Sequence, residues 1–103
     1  MKIAWTHKAE LKYINVLAKT REDFGWRSAV KLNQEVNDIL QRIKRFPTSA
    51  RIEPLLTPSS HDFEFRSVPF GSHNKLVYHV EEPWISIDNI WDTRREPQKQ
   101  AED

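Results

Sequence analysis

From Trp26 to Arg45 the apolar side chains fall at Ala29, Leu32, Val36, Ile39, Leu40 and Ile43. Spacings of three and four place them on one stripe of an α-helix. Phe46-Pro47 ends the pattern, because proline has no N–H with which to continue the ladder. A long helix with a one-sided apolar stripe must bury it, and the rest of the chain has to supply the surface.

Upstream, residues 2–6 alternate polar and apolar with Ile3 and Trp5 on one face, which predicts a short strand. Thr6 is suited to cap a helix starting near His7. Over 7–21, Leu11, Ile14, Leu17 and Ala18 follow helical spacing, and Glu22-Asp23-Phe24-Gly25 breaks it. The two helices form an αα-hairpin around that break. Residues 47–62, with Pro47, Pro54 and Pro58, read as an extended connection.

Downstream the period changes to two. Strands are predicted over 63–68, over 75–81 with Leu76, Tyr78 and Val80 on one face, and over 84–91 with Ile85 and Ile87 inward. Gly71-Ser72-His73-Asn74 and Glu82-Pro83 supply the turns. The order β-α-α-β-β-β predicts an α+β fold: a two-helix hairpin on one face of a mainly antiparallel sheet, the other face open to ligands or a partner. Strand 1 must find a sheet partner across the helices or stand as an isolated edge. One domain is expected over 1–97, with a polar, frayed tail over 98–103.

Composition narrows the function. The chain has 103 residues and no cysteine, which excludes disulfides and thiolate metal sites. No stretch approaches the roughly 18 consecutive apolar residues of a membrane span, and Met1 to Lys8 has no apolar core of a leader, so a cytoplasmic location is expected. Gly25 and Gly71 are the only glycines, too few for a phosphate-cradling loop, so no nucleotide cofactor is expected. His7, His61, His73 and His79 fit no metal-ligand spacing. Net charge is +1 but unevenly spread. Residues 1–51 carry eleven Lys/Arg against five Asp/Glu, a surplus of six, and residues 52–103 carry five against ten, a deficit of five. Such a dipole suits an oriented encounter with a charged partner; it also suits an uneven solvated surface.

Four stretches, in this order, resemble the RelE/ParE superfamily of toxins from type II toxin–antitoxin modules, the plasmid stabilisation family. They are Trp5-Thr6-His7-Lys8-Ala9-Glu10-Leu11, the helix end Arg45-Phe46-Pro47, the run from Phe65-Arg66 through Gly71 to Leu76-Val77-Tyr78-His79-Val80, and Ile85-Ser86-Ile87 with Trp91-Asp92-Thr93-Arg94-Arg95-Glu96-Pro97. The likeness spans roughly 3–97. It implies a growth-inhibiting toxin neutralised by a cognate antitoxin that wraps an extended or helical segment around it, with no small-molecule cofactor. The basic N-terminal half would suit an acidic antitoxin.

The superfamily divides by target. One branch cleaves mRNA on the ribosome, with basic residues and often a His or Tyr near the C-terminus. The other inhibits DNA gyrase without a known hydrolytic site. Pro69-Phe70-Gly71, the paired Arg94-Arg95 and the lack of His or Tyr after His79 are similar to the gyrase-directed branch. An inactive relative that only binds protein is a third reading.

Were the chain a ribonuclease, Arg66 and Arg94 would hold the phosphorane, and His79 or Tyr78 would move protons. Each has a plain structural alternative. Arg66 could pair with Glu64 or Asp88, Arg94 could be a solvated exit residue, Tyr78 could be a core aromatic with its hydroxyl at the rim, and His79 could be a surface histidine. For target binding the candidates are Arg66, Arg94 and Arg95, with Lys44, Arg45 and Arg51 around the end of the long helix. Arg42 belongs to that cluster too, and cations there also suit a helix C-terminus. Of the tryptophans, Trp5 is expected in the core, and Trp84 and Trp91 are expected as exposed contacts.

Overall fold

The computed structural model describes residues 1–56 and 63–95. His61, the polar tail over 98–103 and the last residues of the long connection lie outside the described residues. In chain order the elements are β1 (Lys2–Trp5), α1 (His7–Phe24), α2 (Trp26–Arg45), β2 (Arg51–Ile52), β3 (Arg66–Phe70), β4 (Asn74–Glu81) and β5 (Trp84–Asp92).

Thr6 caps α1 as its residue type predicts. Its backbone is extended, and its Oγ1 accepts the Ala9 N–H at 3.1 Å. The helix runs to Phe24 rather than stopping at residue 21, so the acidic Glu22-Asp23 pair belongs to its last turn. Gly25, at φ +95°, ends α1 and starts α2 in one residue, a backbone conformation that side chains disfavour. The long helix has the predicted bounds, and Val36, Ile39 and Ile43 are buried.

The five strands stand in the order β1-β5-β4-β3-β2. Strand β1 runs parallel to β5, with Ile3 opposite Ile85 and Trp5 opposite Ile87. The hairpin thus carries the chain from β1 at one edge of the sheet to β2 at the other, and all pairs other than β1–β5 are antiparallel. The connection expected to be plainly extended contains β2, whose two residues pair with Ser67 and Arg66. Strand β3 begins three residues later than predicted and ends at Phe70. Pro69 fits there because β2 has already ended, leaving that edge of β3 unpaired.

Val68, Phe70, Leu76, Tyr78, Ile85, Ile87 and Ile90 pack with Ala9, Val36, Ile39 and Ile43 in one apolar cluster beneath the helices. The inward stripe of α1 differs from the predicted one. Leu11, Ile14 and Ala18 face out, and Ala9, Tyr13 and Val16 face the core. Both sets have helical spacing. The inward set puts a small residue where α1 meets the sheet and a ring where the helices meet. The Tyr13 hydroxyl donates to Asn33 Oδ1 of α2 at 2.7 Å, and its ring lies 5.3 Å from Trp5 and 6.3 Å from Phe70. Burial pushes this phenol up to about 12.

A break in register between β4 and β5 falls at Val77/Tyr78, where Asp88 is an extra residue between the partners Ile87 and Asn89. It moves the apolar face of β5 from Ile85 and Ile87 to Ile90. Trp91 therefore turns to the far face and is 2% exposed, not an exposed contact. Trp84 is exposed as expected, and Trp5 packs partly buried against the core.

Candidate functional site

The sheet face away from the helices is not open. Glu53, Ser67, Val77, His79 and Trp91 are all buried there. Residues 53 and 63–65 turn back over this face, with the Glu53 N–H bonded to the Phe65 carbonyl at 2.8 Å. Lys75 Nζ reaches both carboxylate oxygens of Glu53, at 2.5 and 3.0 Å, and lies 5.0 Å from the Trp91 ring centre. Ser67 adds a third donor to Glu53 at 3.3 Å.

His79 sits on the same face, flanked by carboxylates. Its Nδ1 is 2.6 Å from Asp88, and its Nε2 is 3.3 Å from Glu81. Ser86 donates to the other Asp88 oxygen at 2.8 Å. Phe63 stacks on the imidazole at 4.2 Å and Phe65 meets it edge-on. His79 is thus held and covered, not a surface histidine. Sequence reading missed Glu53, Lys75 and Asp88. A signal existed: the break of alternation between Ile87 and Ile90 marks a bulge, and bulges re-aim side chains such as Asp88.

Arg66 and Tyr78 lie directly opposite each other on β3 and β4. They face the end of α2. Arg66 donates to the Ala50 carbonyl at 2.7 Å and to Glu64 at 2.6 Å, so its ion pair is with Glu64 rather than Asp88. The Tyr78 ring is fully buried, and its hydroxyl donates to the Pro47 carbonyl at 2.7 Å. Burial pushes the phenol up, against the pull of Arg66 and Arg42. Arg42, Lys44 and Arg45 occupy the last turn of α2, and Lys44, Arg45 and Arg51 are exposed. Arg45 lies over the Phe46 ring at 5.5 Å.

Arg94 stands elsewhere. Thr93 is tied to the β3–β4 turn through the His73 carbonyl at 2.8 Å. Arg66 pairs at the far end of β3, four residues from Phe70. At roughly 3.3 Å per residue, that is about 13 Å along the strand, and β4 and β5 add a lateral separation. Arg94 is exposed and grips Asp92 with two nitrogens, at 3.0 and 2.8 Å. The Arg94 bond holds the Asp92 carboxyl down at about 2.

The structure therefore brings together Arg66 and Tyr78, with Arg42 close enough to act on the same phenol. It puts His79 on the opposite face and Arg94 at the opposite end. Among the described residues no group of three or more His, Asp and Glu could hold a metal ion, and no helix is long and apolar enough to cross a membrane.

Two solved structures share this architecture. A chain of the chromosomal ParDE TA system from P. aeruginosa matches with a TM-score of 0.69 at 17% identity, over 89% of this chain and 95% of that one. The YoeB/ParE toxin from Agrobacterium tumefaciens matches with a TM-score of 0.60 at 21% identity, over 89% of this chain and 98% of that one. No family model and no curated protein matches the sequence. The chain has the α+β fold of the RelE/ParE toxins, as its motifs imply.

Proposed function

We propose that this protein is the toxin of a type II toxin–antitoxin module, acting in the cytoplasm on DNA gyrase and neutralised by a cognate antitoxin. The shared fold supports the toxin reading. The separation of the acid–base candidates supports the choice of target. Cleavage through a 2′-hydroxyl needs base, acid and phosphate-binding cations around one phosphorus. Tyr78 has its hydroxyl spent on Pro47, His79 is covered on the other face, and Arg94 is far from both. Gyrase inhibition needs no such convergence. Arg66, Arg94, Arg95, Lys44, Arg45 and Arg51 are then contact residues.

The outer face of the hairpin is the surface that suits the antitoxin. Leu11, Ile14, Trp26 and Val30 are each about half exposed there, with basic residues of the N-terminal half around them. An acidic segment with an apolar stripe fits that chemistry.

The test is induced expression in a bacterial host with separate pulse labelling of DNA and protein synthesis. Early arrest of DNA synthesis, with filamentous cells, is the expected result, and the purified protein should inhibit supercoiling by gyrase. Early arrest of protein synthesis would overturn the target and return Arg66, Arg94, His79 and Tyr78 to a ribosome-dependent mRNA endonuclease. Normal growth with soluble, folded protein would leave an inactive, protein-binding relative.

A further inference from the structure

The last turn of α2 and the short turn after it form a corner rich in positive charge. Arg42, Lys44, Arg45 and Arg51 are all exposed there. Among the described residues none of the four has a carboxylate partner. The carboxylates of neighbouring elements are engaged elsewhere: Glu64 by Arg66, Glu53 by Lys75, and Glu35 by the Gly71 N–H. A helix C-terminus attracts cations, but its dipole carries only roughly half a negative charge. Asp38, one helical turn before Arg42, adds one more. The four cations exceed the two together by about two and a half charges.

The corner is also rigid and carries an open ring. Ser49 donates to the Phe46 carbonyl through its N–H at 3.1 Å and its hydroxyl at 2.8 Å. The Tyr78 hydroxyl holds the Pro47 carbonyl and Arg66 holds the Ala50 carbonyl, each at 2.7 Å. Phe46 is 54% exposed, and the Arg45 guanidinium lies 5.5 Å from its ring centre. With Met1, Gln41 and the cations of the last helical turn, Phe46 lines a shallow hollow.

We infer that this corner binds a single strand of nucleic acid, with phosphates along Arg42, Lys44, Arg45 and Arg51 and a base stacked on Phe46. Cations alone would suit any polyanion. The ring selects among them, because a base has a face to stack and an acidic side chain has none. The guanidinium beside the ring extends the platform, since its plane stacks on bases as well. Arg42 and Arg45 are three residues apart on the helix, so their Cβ atoms are about 5–6 Å apart and one backbone can run past both. The inference rests on the toxin reading, which makes Lys44, Arg45 and Arg51 contact residues, and it names what they touch.

The experiment measures fluorescence anisotropy of labelled DNA and RNA strands of about twelve nucleotides as the full chain is added. The expected Kd at about 50 mM salt is on the order of 10 µM, and log K should fall against log salt with a slope of about −3, as for four phosphate contacts. Substituting Lys44→Ala together with Arg45→Ala should reduce that slope by about 1.4, and Lys31→Ala, earlier on the same helix, should not change it. Phe46→Ala should weaken binding about tenfold and leave the slope unchanged. Phe46→Tyr keeps the ring and the turn, and should bind as the unsubstituted chain does. A slope indifferent to Lys44 and Arg45, or an affinity indifferent to Phe46, would overturn the site. So would a ten-glutamate peptide that binds as tightly as the strand, which would assign the corner to an acidic protein segment. DNA bound at least as tightly as RNA supports the strand site on a gyrase toxin; RNA favoured about tenfold supports it on a ribosome toxin. No strand binding, with DNA synthesis still arrested in the growth assay, would overturn this site and leave the toxin reading standing. Strand binding with normal growth would do the reverse.

Discussion

The two faces of the sheet are both buried, by opposite means. Under the helices lie Val68, Phe70, Leu76, Ile85, Ile87 and Ile90, which need only volume and shape. On the far face, Val77 and Trp91 share their space with Glu53, Lys75, Ser67 and the His79–Asp88 pair. Burial of apolar groups is favourable by itself and tolerates approximate neighbours. Burial of charge is tolerable only when each partner is present. The first face should therefore degrade gradually on substitution, and the second should fail by all or none.

Lys75→Met breaks this contrast open most sharply. It leaves the Glu53 carboxylate buried with only Ser67, and should cost about 3–5 kcal/mol in urea unfolding. Adding Glu53→Met should recover most of that loss. A single-variant cost below about 1 kcal/mol would mean that water reaches the pair.

Ile87→Ala on the helix side should cost about 2–5 kcal/mol, and Ile87→Val only about 0.5–1.5 kcal/mol. Equal losses for the two would contradict a graded, volume-filling core.

Tyr78→Phe removes one hydrogen bond and leaves the Pro47 carbonyl unpaired, at a cost of about 1–2 kcal/mol. If Tyr78 were the proton donor of a ribonuclease, the same variant would abolish toxicity while staying folded. Toxicity retained in Tyr78→Phe sharpens the gyrase reading.

Titration separates regions too. Tyr13 is raised to about 12 from an ordinary value of 10.0, because burial favours its neutral form. Its contribution is full below pH 10 and lost as pH rises through 12, so Tyr13→Phe should flatten the alkaline limb of stability. Asp92 is lowered to about 2 from 3.8, so its contribution is full above pH 3.8 and lost as pH falls through 2. Asp92→Asn should flatten the acid limb, by less, because the Arg94 side of that pair is solvated. Arg94→Ala should flatten the same acid limb and lower stability at neutral pH only slightly, because the pair is solvated.

The long helix was legible because every residue that fixes it is local: six apolar positions on one stripe and a proline at the stop. The cap at Thr6 was legible for the same reason. The inward face of α1 was not. Leu11, Ile14 and Ala18 satisfy the helical period as well as Ala9, Tyr13 and Val16 do, and only contact with the sheet and α2 decides between them. Arg66 and Arg94 looked like partners in one site because strand residues carry no record of distance across a sheet. The bulge at Asp88 sends Trp91 to the far face, the one occupied by His79 and expected to be open.

Local pattern was enough for the two helices and four of the five strands, the hairpin, the stop at Phe46-Pro47, the Thr6 cap and the division of charge between the two halves. These follow from periodicity, capping chemistry and counting, all of which act over a few residues. Long-range packing was needed to join β1 to β5 in parallel, to add Arg51–Ile52 as a fifth strand and to bring Glu53 to Lys75. Those outcomes depend on contacts between residues up to 82 positions apart, as with Thr6 and the Asp88 carbonyl, and no local pattern encodes which of several compatible surfaces will meet.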